Sequence, residues 1–187
     1  SRALALRGED VTVITPMAEI GNRGKYPFEI LDYLALRVPG SAHKAGVAAL
    51  DAHYRARVDQ KMFDVIHTHG PGTAGMEAIR LAERLKAPLV GTFHPKYIRE
   101  YLSAADERES ILTKLFAFDY FSRCDEIWTS SEDARDLLYL RGFQGNVEVI
   151  DNGTEREAAS EEARLSARET FHLTGAPVLL FAGSLEK

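Results

Sequence analysis

The feature that most narrows the fold of this chain is an alternation of short apolar, β-branched runs with longer stretches of helical periodicity. The runs are Val11 to Ile14, Asp64 to Thr68, Pro88 to Phe93, Glu126 to Thr129, Val147 to Ile150 and Val178 to Ala182. Between them, Met76 to Leu85 sets Ile79, Leu81, Ala82 and Leu85 on one helical face and turns Glu77, Arg80, Glu83 and Arg84 mostly outward. Asp133 to Leu140 and Glu155 to Phe171 also read as helices. Parallel strands need long crossover connections, so this order predicts an α/β fold with a Rossmann-like parallel sheet. Several runs are apolar on both sides, which calls for helices on both faces. Residues Met17 to Ser41 fit the pattern least, and there a strand over Glu29 to Tyr33 is favoured.

The two ends of the chain carry their own expectations. "SRALALRGEDVTVIT" reads as the last turns of a helix stopped by Gly8, then a strand. A doubly wound sheet normally has a strand before that helix, near its centre. The expectation is that this first strand is missing and the chain is a fragment; the alternative is a first helix packed as an edge element. Near the other end "VEVIDNGTE" closes a strand with the turn dipeptide Asn152-Gly153. This divides the chain into residues 1–153, a Rossmann-like domain, and 154–187, a linker helix and first strand of a truncated second domain. The alternative is that the last strand joins the edge of the first sheet.

Composition removes several function classes. The 187 residues are 45% hydrophobic and 27% charged, enough to bury a core. A net charge of −5 offers no general basic field for nucleic acid or an anionic membrane, so any anion site is local. The single cysteine, Cys124, excludes an internal disulfide, and no run approaches the roughly 20 apolar residues of a membrane span. A cytoplasmic protein is the default expectation. The hydrolase elbow, the P-loop and zinc-finger spacings are all lacking.

The most informative motif is "HTHGPGTAGMEA", a strand that ends in a glycine turn and opens a helix. Gly70, Gly72 and Gly75 fit G-x-G-x-x-G, yet the next strand ends "GTFHPK" without the carboxylate a dinucleotide ribose requires, and Pro71 removes one N–H donor. Two readings stay open: an anion held at the helix N-terminus, or a tight turn that binds nothing. His67 and His69 share a strand face, and His94 ends the neighbouring strand, where open α/β sheets bind ligands. No carboxylate or thiol completes a metal set there, so a hydrogen-bonding or acid/base role for His69 or His94 is favoured, with His67 as a core histidine. Lys96 and Arg99 stand either as phosphate contacts or as a solvated helix face, and "ILTKLFAFDYF" reads as buried core rather than a membrane or partner face.

The ordered set "RGEDVTVIT", "FDVIHTHGPGTAGMEAIRLAERLKAPLVGTFH", "RCDEIWTSSEDARDLLYLRGF", "VEVIDNG" and "APVLLFAGSLEK" resembles the N-terminal half of family 4 retaining glycosyltransferases of the GT-B fold. The resemblance covers nearly the whole chain outside Met17 to Gln60. It implies an acceptor-binding Rossmann-like domain facing a second domain that binds a nucleotide-diphosphate sugar. It also implies His94 as the active-site histidine facing the transferred sugar. Gly70, Pro71, Gly72 and Thr73, with His69 beside them and Lys96 beyond, would line the acceptor side. Gly183 and Ser184 match the start of the donor loop, where many members have arginine in place of Ser184. Asn152-Gly153 would be the interdomain crossing. The implied chemistry is retention without a metal or cofactor, on a glycan, lipid or small-molecule acceptor, with peripheral contact at the inner membrane face as a further implication. The rivals are a GT-B sugar-nucleotide epimerase and a non-catalytic module or one half of a divided glycosyltransferase.

Overall fold

The computed structural model describes residues 1–16, 23–37, 44–94, 117, 119–153, 158–173, 175 and 177–180. The chain divides into two compact units, residues 1–151 and 152–187. In the first, helix α1 (Arg2–Leu6) ends at Gly8, whose φ of 96° lies in the left-handed region that glycine tolerates, and leads into β1 (Thr12–Pro16). β1 pairs in parallel with β2 (Glu29–Tyr33), the strand favoured within the least regular stretch of sequence.

A short antiparallel hairpin, β3 (Ala35–Arg37) with β4 (Lys44–Gly46), and helix α2 (Ala52–Val58) follow. Neither was legible in the sequence. Asp51 ties them together: one carboxylate oxygen accepts the Tyr54 N–H at 2.9 Å and caps α2, while the other accepts the Leu34 N–H at 2.9 Å. These bonds hold the Asp51 carboxyl below the usual carboxylate range.

The main sheet is parallel, in the order β5 (Ile66–Thr68), β6 (Leu89–Phe93), β7 (Glu126–Thr129), β8 (Glu148–Val149). Helix α3 (Thr73–Leu85) connects β5 to β6, and α4 (Glu132–Leu140) connects β7 to β8. α3 ends where Lys86 adopts the left-handed conformation at φ 56°. α4 starts at Ser131, whose hydroxyl accepts the Ala134 N–H at 3.2 Å, with Glu132 and Asp133 complementing the positive end of the helix. β6 is buried along its full length, as its apolar run on both faces predicts.

Strand alternation puts Leu89, Phe93 and Ile127 on one face, where they pack with Ala78 and Ile79 of α3, Ala134 and Leu138 of α4, and Tyr120 and Phe121. A second cluster, Leu31, Tyr33, Tyr54, Val58 and Leu81, joins β2 and α2 to α3. Ile66 packs against both clusters, so α3 and β5 carry one core into the next.

Three expectations are corrected. Glu77 does not face outward: it is 6% exposed, accepts the Tyr54 hydroxyl at 2.8 Å, and receives Arg80 on both oxygens at 2.7 and 2.9 Å. α2 lies over that side of α3, so the helix is buried more broadly than a single stripe. The helix read over 155–171 is α5 (Glu161–Thr170), which starts at Ser160 because that hydroxyl accepts the Ala163 N–H at 3.2 Å. The strand read over 178–182 is not formed across its described residues 178–180, where Leu179 and Leu180 are fully or nearly fully exposed. A strand needs a paired neighbour, and the 152–187 unit offers none among its described residues.

Candidate functional site

The carboxyl ends of β5 and β6 bring the histidines together. The register sets His67 opposite Val90 and Thr92 opposite Trp128, so His67, Thr92 and Trp128 share one sheet face. His67 Nε2 and Thr92 Oγ1 share a hydrogen bond of 2.6 Å, and Trp128 meets the His67 ring edge-on at 5.0 Å between centroids. The His69 ring lies 4.6 Å from that of His67, and its Nδ1 stands 3.2 Å from His94 Nε2. Trp128 is itself oriented by its indole N–H, which donates to Glu126 at 3.0 Å.

His67 is therefore not the core histidine that its place in the strand suggests. It is exposed on one side, as is His69. The other side of the His67 ring is crowded, and this partial burial, followed by the neighbouring His69 and His94, pushes its pKa down to about 4. His69 is lowered by the same causes, burial first and His94 next. Both rings stay neutral at ordinary pH, and they meet neighbours as uncharged donors and acceptors.

Beside the imidazoles is the glycine turn. Gly70 has φ 142°, open to glycine and strained for other residues, and Gly72 is the N-cap of α3. Gly75 has a different reason to be glycine. A Cβ there would stand 2.3 Å from the Gly70 carbonyl oxygen and 2.6 Å from Tyr120 Cε2. Two of the three glycines are thus required by the turn and its packing, whether or not a ligand binds. Gly70 and Pro71 are buried, while Thr73 is exposed and accepts the Gly46 N–H at 3.2 Å.

α3 has neither a side-chain cap nor an acidic residue in its first turn, and first-turn N–H groups have no partner within a helix. Because α3 follows β5 after a four-residue turn, its positive end lies beside the strand end that carries His69. Two tyrosines pack near this turn: Tyr33, at the end of the strand favoured over Glu29 to Tyr33, and Tyr120, from the stretch read as buried core. The hydroxyls of Tyr33 and Tyr120 are buried and reach no full hydrogen bond among the described residues, although Thr73 lies near the first and Thr68 and Gly70 near the second. Burial pushes Tyr33 up to about 12 and raises Tyr120 further. The sequence marks Tyr33 as a strand residue and Tyr120 as core, but not their nearness to the turn, which depends on long-range packing.

Lys96, Gly183 and Ser184 lie outside the described residues, as do Arg99 and most of "ILTKLFAFDYF". Among the described residues no three histidine, cysteine or acidic side chains are placed to share a metal ion, and no helix is long and apolar enough to cross a membrane. The neutral imidazoles, the strand ends and the uncapped helix make a polar corner suited to contacting hydroxyls and anions.

A search of the curated proteins finds no match to the chain. A protein-family comparison does: the model described as Glycosyltransferase Family 4 matches residues 1–158, in agreement with the Rossmann-like α/β architecture. The chain therefore belongs to glycosyltransferase family 4, as an N-terminal domain of that family.

Proposed function

We propose that this chain is the acceptor-side domain of a retaining glycosyltransferase that moves a sugar from a nucleotide-diphosphate donor to a glycan, lipid or small-molecule acceptor. The observation that carries this reading is the meeting of His69 and His94 at adjacent parallel strand ends, beside the glycine turn that opens α3. Ligands of open α/β sheets bind at such ends.

In this reading His94 contacts the sugar being transferred. His69 and the turn Gly70, Pro71, Gly72 and Thr73, with Lys96, line the acceptor side. Gly183 and Ser184 begin the donor loop, and the rest of the donor site belongs to a second domain of the same or a partner chain. The bond between the anomeric carbon and the donor phosphate oxygen breaks, and a bond to the acceptor oxygen forms on the same face. The acceptor proton passes to the departing diphosphate. Preorganised neutral donors and a helix N-terminus stabilise charge that develops on such a leaving group without a metal. The reaction takes place in the cytoplasm, with a lipid acceptor reached at the membrane face.

The test compares the full-length protein with the isolated 187-residue chain, each given UDP-glucose, UDP-N-acetylglucosamine or GDP-mannose, following nucleoside diphosphate release. Release by the full-length protein and none by the isolated chain is expected. Sustained turnover by the isolated chain would overturn the division of labour.

A further inference from the structure

The ring geometry of the histidine pair says more than that the two are close. His69 and His94 have centroids 5.5 Å apart, an interplanar angle of 21°, and an N···N distance of 3.2 Å. The centroid separation exceeds the N···N distance by about one imidazole diameter, so the two nitrogens lie nearly on the line between the ring centres. The rings are therefore edge to edge and almost coplanar, not face to face. An imidazole N–H and an imidazole lone pair both lie in the ring plane and point outward from the centre, so this is the arrangement of a near-linear N–H···N bond.

We propose that His69 is a positioning residue for His94: His69 Nδ1 accepts the proton carried by His94 Nε2, which fixes the His94 ring and leaves the lone pair of its neutral form on Nδ1. The assignment rests on the reading of His94 as the histidine at the transfer centre. Its direction follows from which arrangement survives protonation. A charged His94 carries protons on both nitrogens, so its Nε2 must then donate, and only an accepting His69 keeps the bond in both states. The lowered pKa of His69 agrees, since burial disfavours its charged form and keeps it an acceptor.

His69 is held in turn. Its ring packs on His67 at 4.6 Å, and His67 is anchored by Thr92 at 2.6 Å and by Trp128 at 5.0 Å. A line of side chains from β7 through β6 and β5 thus ends on His94. Positioning of this kind selects one tautomer of the working imidazole.

The experiment is a long-range 1H–15N correlation of histidine-labelled 187-residue chain at about pH 8, where imidazoles are neutral. It is run on the wild type, His69→Phe and His69→Asn. Phe keeps a flat ring without a nitrogen. Asn places an amide oxygen close to the former Nδ1. His94 is expected predominantly as the Nε2–H tautomer in the wild type, with its tautomer ratio shifted about threefold to tenfold toward Nδ1–H in His69→Phe and restored in His69→Asn. A wild-type His94 protonated on Nδ1, a ratio unmoved by His69→Phe, or no restoration by Asn would each overturn the proposal. The readout needs no substrate, so its failure is separate from failure of the glycosyltransferase reading.

Discussion

Replacing Gly75 by alanine tests whether the glycine turn is built by packing. In most exposed helices Gly→Ala stabilises by about 1 kcal/mol through backbone entropy. Here the new Cβ would stand 2.3 Å from the Gly70 carbonyl oxygen and 2.6 Å from Tyr120 Cε2. Neither neighbour yields easily. The first is backbone in a turn at φ 142°, and the second belongs to a ring that is 1% exposed within the main core. Overpacking of a rigid site costs about 1–3 kcal/mol, occasionally more, and a contact this short falls at the upper end. Subtracting the helix gain leaves a net destabilisation of about 2 kcal/mol. Urea unfolding followed by Trp128 fluorescence measures it. Gly153→Ala is the control, because no described residue lies within 4 Å of a Cβ there, and a change within about 0.5 kcal/mol is expected. In a double-mutant cycle, Tyr120→Leu should recover about 1 kcal/mol of the Gly75→Ala cost. A neutral or stabilising Gly75→Ala would refute the packing account and leave ligand binding as the reason for the third glycine.

Other consequences follow from buried polar groups. Glu77→Ala leaves the buried Tyr54 hydroxyl without its acceptor and Arg80 with Asp59 alone, and should cost about 2–3 kcal/mol in the same urea assay, while a surface variant such as Glu132→Ala costs less than about 1 kcal/mol. His67 has its pKa pushed from 6.5 to about 4 in the folded chain, so the unfolded state binds more protons between these values. Its contribution to stability is full above about pH 6.5 and is lost as the pH falls toward 4. Thermal melts across that window should show a shallower pH slope for His67→Gln, an effect softened by the ring's open side. Burial raises the Cys124 thiol from 9 to about 11, which lowers its thiolate fraction about a hundredfold. A disulfide reagent at neutral pH should therefore modify Cys124 slowly in the folded chain and at the ordinary thiol rate in urea.

The parallel sheet was legible because each strand carries a local mark: apolar runs on both sides for β6, and Gly-rich or Ser-rich punctuation before α3 and α4. The hairpin β3–β4 was not, since three-residue strands have too short a period to read, and their pairing depends on Asp51 bonding to Leu34. Glu77 looked like a solvated charge because sequence periodicity marks one buried face, whereas α2 covers a second. At the candidate site, the placing of His69 and His94 at neighbouring strand ends was legible from strand position and motif. The contributions of Thr92 and Trp128 were not, because strand register decides which side chains become diagonal neighbours. Tyr33 and Tyr120 come from elements distant in sequence and become neighbours of the turn only through the packed core.

The most direct test of the central claim is the rate of nucleoside diphosphate release by the full-length protein with and without His94. The preferred nucleotide-sugar from the donor panel is held at saturation, and His94→Ala is compared with wild type and with Leu140→Ala, an exposed residue at the C-terminal end of α4. A fall of about a hundredfold in kcat for His94→Ala, with Leu140→Ala unchanged, is the expected result. Release at the wild-type rate from folded His94→Ala would contradict the placement of the transfer centre at the ends of β5 and β6.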